Sequence, residues 1–70
     1  MVDLSEKIKI LAIKSDTTVA GLARLSGQTS SNLHNKIVRN DFKASELMRI
    51  AEAVGCSVEI NFVLPNGEKI

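Results

Sequence analysis

Hydrophobic residues recur every three or four positions through the first 55 residues of the chain, which is typical of α-helices with one buried face. The first such stripe consists of Leu4, Ile8, Leu11 and Ala12. Asp3 comes directly before it and Glu6 follows three residues later, a spacing that favours a helix N-terminus because each side chain can bond the other's backbone N–H group. The pattern predicts a first helix over residues 4–15.

Two short helices joined by a tight turn are predicted next, over residues 19–26 and 30–38. The apolar residues of the first are Val19, Leu22, Ala23 and Leu25. Gly27 can adopt a positive φ and therefore end that helix. The offsets of Ala23, Gly27 and Leu33 are those of a helix-turn-helix, a unit that presents its second helix to the major groove of DNA.

Threonines supply the predicted N-caps of these two helices. Thr18 and Thr29 precede the first helical residues, and a threonine hydroxyl can accept a hydrogen bond from a free N–H group of a first turn. Gly21 lies inside the second helix, where glycine costs about 1 kcal/mol relative to alanine. Close approach of a neighbouring group would explain its presence.

A fourth helix is predicted over residues 44–54 and is ended by Gly55. Its stripe consists of Leu47, Ile50, Ala51 and Val54. The linkers between the four helices are short, which favours one compact bundle over residues 1–56.

In the tail, residues 57–70, the spacing of the apolar residues changes from a helical period to alternation. Residues 57–64 alternate between apolar and polar, which predicts a β-strand, and Pro65-Asn66-Gly67 predicts a turn. The apolar face of this strand consists of Val58, Ile60, Phe62 and Leu64. Only residues 68–70 follow the turn and could pair with this strand, so most of its backbone N–H and C=O groups would lack partners. Antiparallel pairing with a second copy would cover it, and the alternative is a short hairpin on the monomer's own helices. The predicted fold class is mainly α, a four-helix bundle with a C-terminal β-strand or short hairpin.

Composition agrees with one small domain of 70 residues, 44% of them hydrophobic. The single cysteine excludes an internal disulfide, and Cys56, next to the apolar strand, is expected to be a small buried hydrophobe. No signal peptide is evident and no apolar run approaches the length of a membrane span, so we expect no membrane association and a cytoplasmic location.

Positive charge is concentrated around the two central helices. Residues 14–43 contain five Lys or Arg and two Asp, a local net charge of +3, whereas residues 44–70 contain two Lys or Arg and four Glu, a local net charge of −2. An anion-binding face would produce this distribution, and so would a chance fluctuation of surface charge.

The outward face of the third helix is small and polar. With Leu33 and Ile37 facing inward, the helical period points Asn35 outward and puts Ser31 and Arg39 on either side of it. Asn32 and Val38 lie beside these. Such a face fits the major groove, where Asn can pair with adenine through two hydrogen bonds and Ser can bond several bases. The predicted base contacts are Ser30, Ser31, Asn32 and Asn35, and Lys36, Arg39 and Lys43 are predicted to contact phosphates.

Catalytic and metal-binding arrangements are not evident. His34 has no Cys or His at ligand spacing, and no Ser/His/Asp set or glycine-rich phosphate loop is present. We therefore predict no enzymatic activity, no cofactor, no metal and no small-molecule ligand.

Two parts of the sequence resemble a known protein family. The runs TVAGLARLSGQTSSNLHNKI and FKASELMRIAEAVGCSV are similar to the phage-repressor and Cro-like (lambda repressor-like, XRE-type) helix-turn-helix proteins. Leu22-Ala23, Gly27, Leu33 and the stretch from Leu47 to Gly55 carry the resemblance. It implies a compact bundle of four or five helices that binds operator DNA as a dimer and controls transcription. Its pattern assigns base contacts to Ser30, Ser31 and Asn35, and phosphate contacts to Thr18, Gln28 and Thr29.

The chain departs from that pattern at several positions. Polar residues replace the usual apolar ones at Ser26, Gln28 and Lys36, and Leu25 and Ile37 are expected to take over their packing. Val19 replaces a Gln that in many members braces the DNA backbone. The strand at 57–64 replaces the last helix, as in Cro-like proteins that dimerise through a C-terminal strand.

The sequence therefore predicts a homodimeric, sequence-specific transcriptional regulator, a repressor, that binds double-stranded DNA. An alternative is an antitoxin-like or anti-repressor module that uses the C-terminal strand to bind another protein.

Overall fold

The computed structural model describes residues 3–70 and contains four helices in this part of the chain. They are α1 (Leu4–Lys14), α2 (Val19–Leu25), α3 (Ser30–Arg39) and α4 (Ala44–Ala53). The predicted helical fold class and all four predicted helices are confirmed, since each begins at the predicted residue and ends within one residue of the predicted end. The bundle predicted over 1–56 starts at two residues that lie outside the described part. No helix within 3–70 has both the length and the apolar character that a membrane span requires.

Side-chain caps fix where three of the helices begin. The Asp3 carboxylate accepts from the N–H groups of Ser5 and Glu6, and its bond from the Ser5 hydroxyl is the largest cause of its lowered pKa. Thr18 Oγ1 accepts from the Gly21 N–H at 3.0 Å, and Thr29 Oγ1 accepts from the Asn32 N–H at 3.1 Å. The three predicted caps are confirmed.

Every helix ends through a residue in the left-handed conformation. Gly27 and Gly55 adopt φ values of 79° and 74°, as the sequence indicates. Asp16 and Asn40 do the same at 56° and 51°, which was not predicted. Asp and Asn tolerate this conformation better than other residues with side chains because their short polar groups bond locally. In each case the next residue donates its N–H to a carbonyl five positions back, as in a Schellman motif.

Helix α2 is the centre of the core and packs against the other three helices. Leu22, Leu33 and Ile50 are the largest fully buried side chains, one from each of α2, α3 and α4. The remaining buried apolar residues are Ile8, Ala12, Ala23, Ile37 and Ala51. Apart from Leu25, the apolar positions predicted for the four helices are buried or half-buried, so the helical period correctly predicts which face of each helix enters the core.

Asn40 connects the end of α3 to the start of α1. Its Oδ1 accepts from the Leu4 N–H at 2.9 Å, across 36 residues of sequence. This N–H belongs to the first turn of α1 and has no partner within that helix. The bond therefore satisfies an N–H group at the start of α1 and attaches the C-terminal end of α3 to the bundle.

Gly21 is explained by the close approach of Thr17. A Cβ atom at position 21 would collide with Thr17 Oγ1, while its contact with Thr18 Oγ1, at 3.4 Å, would be ordinary. The expected close approach is thus found.

Replacing Gly21 by alanine is expected to destabilise the wild-type protein, because the new methyl group meets the Thr17 hydroxyl. In a Thr17→Ala background the same change is expected to stabilise the fold by about 1 kcal/mol, the difference in helix propensity. Urea unfolding of the wild type, both single variants and the double variant measures this coupling. Equal effects of Gly21→Ala in both backgrounds would contradict the explanation.

The predicted strand over 57–64 is wrong, and a short hairpin forms in its place. Phe62 and Ile70 exchange two backbone hydrogen bonds of 2.7 and 2.9 Å, and the Leu64 N–H donates to the Glu68 carbonyl at 2.7 Å. Between these pairs, Val63 and Lys69 form an antiparallel bridge that is isolated within the described residues. The predicted turn is confirmed, with Gly67 at a φ of 90°.

The reason for the shorter pairing is the lack of a partner segment. Strand hydrogen bonds require a second strand, and within 3–70 the segment that pairs with this one is residues 68–70. They pair with residues 62–64, and residues 57–61 run without regular structure.

Cys56 is exposed, which corrects the predicted buried position. Gly55 reverses the chain at the end of α4, and the Cys56 N–H donates to the Ala51 carbonyl at 2.8 Å. This helix-ending bond fixes the Cys56 backbone close to the helix terminus and leaves the thiol outside the core.

Candidate nucleic-acid interface

Helix α3 is attached to the bundle by one face and is otherwise exposed. Leu33 and Ile37, with relative exposures of 0% and 6%, are its buried residues. The turn from α2 begins at Gly27, and Thr29 caps the new helix. The turn therefore connects two packed helices, and α2 together with the turn determines the direction of α3.

All four predicted base-contact residues lie on the exposed surface of α3. They are Ser30, Ser31, Asn32 and Asn35. Val38, which is 70% exposed, continues this surface beyond Asn35. Around Asn35 the face consists of small side chains, with His34 exposed at its edge and Arg39 at the end of the helix.

The six residues predicted to contact phosphates fall into three groups. Thr18 and Thr29 are exposed helix caps, so each marks a helix N-terminus whose free N–H groups favour an anion. Arg39 and Lys43 are exposed cations on either side of the α3–α4 connection. Lys36 and Gln28 are half-buried and already have partners within the chain.

Lys36 forms an ion pair with Glu46 of α4. The Lys36 ammonium beside the Glu46 carboxylate is the main cause of the lowered pKa of Glu46. Because the folded pKa lies below the unfolded value, the pair stabilises the fold above the ordinary pKa of glutamate and loses its effect as the pH falls through the folded value. Much of the Lys36 charge is thus neutralised before any ligand binds.

A hydrogen-bond relay connects the end of α2 to the exposed face of α3. The Ser26 hydroxyl is buried and lies 2.9 and 3.0 Å from the carbonyl oxygens of Leu22 and Ala23, to which it donates. Gln28 Nε2 donates to Ser26 Oγ at 3.0 Å, and Asn32 Nδ2 donates to Gln28 Oε1 at 3.0 Å. The relay was not predicted from the sequence.

This relay and the ion pair account for the three polar departures from the family pattern. Ser26 occupies its core position by satisfying its hydroxyl on the backbone, so the core there does not need an apolar replacement. Leu25, expected to take over this packing, is 58% exposed, and that expectation is wrong. Ile37 is buried as expected. Gln28 and Lys36 lie with Asn32, Glu46 and Arg49 around one polar cleft beside α3.

The residues predicted to form the dimer contact lie in the irregular segment and the hairpin. Val58 is half-buried beside an apolar groove between α1 and α4, lined by Ile8, Leu11, Leu47 and Ile50. Ile60 and Phe62 are 56% and 73% exposed, and Leu64 is 36% exposed. These four side chains therefore do not form a single strand face.

No group of three or more His, Cys, Asp and Glu side chains within 3–70 has an arrangement that could hold a metal ion. No protein-family model, curated protein or solved structure matches the chain.

Proposed function

We propose that the protein is a sequence-specific DNA-binding transcriptional regulator of the phage-repressor and Cro-like type, acting as a repressor. Helix α3 enters the major groove, and two copies bind one site. The observation that carries this proposal is the surface of α3, a face of small polar side chains held away from the core by Leu33 and Ile37.

The chemistry of this face supports base contacts. The major groove is about 12 Å wide and admits a helix, and the amide of Asn35 can pair with adenine. Ser30 and Ser31 are small enough to let the first turn of α3 approach the base edges. Since a side chain selected only for solubility need not be small, a run of short polar residues along one face favours a helix that approaches another surface closely.

Phosphate contacts would orient the domain on the duplex. The N-termini of α2 and α3, capped by Thr18 and Thr29, offer free N–H groups, and Arg39 and Lys43 add charge. Such contacts supply affinity without sequence preference.

A second copy would cover the apolar tail. Phe62, Val63 and Ile70 are 73%, 64% and 64% exposed, which is a large apolar surface for a chain of this size. Burial of these side chains between two copies would place two α3 helices on the same side of a duplex, at half-sites about 34 Å apart.

Selection of bound sequences from a random DNA pool tests the proposal most directly. We expect a palindromic motif whose half-sites are separated by about one helical turn, 10–10.5 base pairs. Failure of the protein to retain any duplex from the pool at low salt would contradict it.

The exposed apolar tail also favours the second candidate, a module that binds another protein as an antitoxin or an anti-repressor does. In that case the hairpin would pair with a partner's sheet rather than with a second copy. The two functions differ in stoichiometry, because a module of this kind is monomeric until its partner is present.

The substitution Phe62→Asp is expected to convert a dimer into a folded monomer, because the side chain is exposed in the single chain and would be buried between two copies. Sedimentation equilibrium measures the change, and circular dichroism verifies the helices. Lys69→Gln is the matched control, since it changes the hairpin's charge equally and removes no apolar surface. A wild-type protein that sediments as a monomer at all concentrations would favour the protein-binding module.

A further inference from the structure

The hydrogen bonds of the relay all run in one direction, with each donor on the side of α3 and each acceptor on the side of the core. The Ser26 hydroxyl has one proton, and it points to the carbonyl oxygens of Leu22 and Ala23, which can only accept. With its proton placed there, Ser26 Oγ accepts from Gln28, which presents its NH₂ group to Ser26 and its carbonyl oxygen to α3.

The same reasoning extends to Asn32. Since Gln28 Oε1 faces α3 as an acceptor, Asn32 must present its NH₂ group to it, at 3.0 Å. Rotation of the Asn32 amide by half a turn would place two carbonyl oxygens together. Asn32 is exposed, so the rest of its amide faces outward with a known orientation.

We propose that Gln28 is a positioning residue that sets the amide orientation of Asn32 and thereby makes Asn32 selective for adenine. This inference rests on the proposed DNA-binding function and adds to it a particular base and a residue that controls its selection.

Hydrogen-bonding geometry identifies the base. The proposal assigns to Gln28 the Asn32 Nδ2 proton that points away from Oδ1. The edge that remains then presents Oδ1 as an acceptor and the second proton as a donor. The major-groove edge of adenine offers the complementary pair, a donor at its 6-amino group and an acceptor at N7. Guanine offers two acceptors at this edge, one of which would oppose Asn32 Oδ1.

The relay also lowers the entropic cost of the contact. A free Asn side chain on a helix surface must be ordered when it binds, whereas this one is held by the relay before DNA arrives. Asn35 points outward from the same face, and no residue within 3–70 holds its side chain in this way. We therefore expect Asn32 to discriminate between bases more strongly than Asn35 does.

Variants at position 28 test the inference because they change the relay in defined ways. Gln28→Met retains the size of the side chain and removes both hydrogen bonds. Gln28→Glu retains an acceptor for Asn32, and the Ser26 hydroxyl can turn its proton to the new carboxylate because the Leu22 and Ala23 carbonyls keep their backbone partners. This variant is therefore expected to rescue the orientation. Each is compared as a ratio of affinities for two duplexes, which cancels effects of charge on overall binding.

In each pair of duplexes, one contains the contacted adenine and the other contains an analogue that lacks a single atom or group of it. Purine lacks the 6-amino group, and 7-deazaadenine lacks N7. For the wild type we expect each analogue to weaken binding by about tenfold at that position. The loss should shrink to about threefold or less in Gln28→Met and return in Gln28→Glu.

An NMR measurement on the free protein gives a readout that needs no DNA. The bonded Asn32 side-chain proton should resonate at a distinct position that is lost in Gln28→Met. Unchanged Asn32 resonances in that variant would overturn the relay. Equal losses with the analogues in wild type and Gln28→Met, with duplex binding intact, would overturn the selection role alone. Absence of any duplex binding by the wild type would instead overturn the proposed function.

Discussion

Replacing Asn35 by glutamate is expected to lower the affinity for the selected DNA site by about 10³-fold. The loss of a base contact and the new charge in the groove together should cost about 2 kcal/mol for each copy, or about 30-fold. Two copies bind one site, so the factors multiply. Fluorescence anisotropy with a labelled duplex measures the change.

The matched control for this variant is Lys9→Gln. It changes the net charge by the same amount at an exposed position of α1. We expect its effect on affinity to be severalfold at most. If both variants weakened binding equally, net charge alone would explain the loss and α3 would not be the contacting helix. Because Asn35 is exposed, thermal unfolding should show that the variant remains folded.

The affinity for DNA is also expected to fall by about 10³-fold between 50 and 200 mM salt, if two copies together neutralise about six phosphates. Each neutralised phosphate releases a condensed counterion, so the slope of log K against log salt counts the cations that contact the backbone. Arg39 and Lys43 are exposed and should contribute to this slope. Lys36 should contribute little because Glu46 already neutralises it.

Glu46→Gln tests this account of Lys36. The variant removes the ion pair, so Lys36 becomes available to phosphates and the slope should become steeper by about 1 for each copy. Binding at low salt should become tighter, with no change in the preferred sequence. Glu52→Gln is the control, since it removes an exposed carboxylate from the same helix. A shallower slope in Lys36→Ala with no effect of Glu46→Gln would show that Lys36 contacts DNA in spite of its partner.

The starts of α1, α2 and α3 were predictable because each depends on a local signal. The caps Asp3, Thr18 and Thr29 directly precede these helices, and their bonds span two or three residues of sequence. Helix ends at Gly27 and Gly55 were predictable for the same reason. Those at Asp16 and Asn40 were not, because polar residues adopt the left-handed conformation only in some contexts.

The errors in the prediction arise where a local sequence pattern depends on another segment of the chain. Alternation over 57–64 is correct as a sequence pattern, yet a strand exists only if another segment pairs with it. Cys56 was placed inside because an apolar segment follows it, and its exposure depends on the chain reversal at Gly55.

The sequence predicts which residues of the candidate site are exposed, but it does not predict the hydrogen bonds and the ion pair between them. The helical period alone indicates that Asn35 faces outward and Leu33 inward. The contacts of Ser26 with Gln28, and of Lys36 with Glu46, depend on how α2, α3 and α4 are placed. The one available signal for these contacts was the presence of polar residues at Ser26, Gln28 and Lys36, where the family pattern is apolar. Buried polar groups require hydrogen-bond or charge partners.

The bond between Asn40 and Leu4 has a consequence for the dynamics of the bundle. The first turn of a helix frays readily, and here its N–H group is bonded to the residue that ends α3. Opening of the α1 terminus would therefore break one of the contacts that hold the far end of the candidate contact helix. Hydrogen exchange in the two regions should then be linked as one cooperative unit, although they are 36 residues apart along the chain.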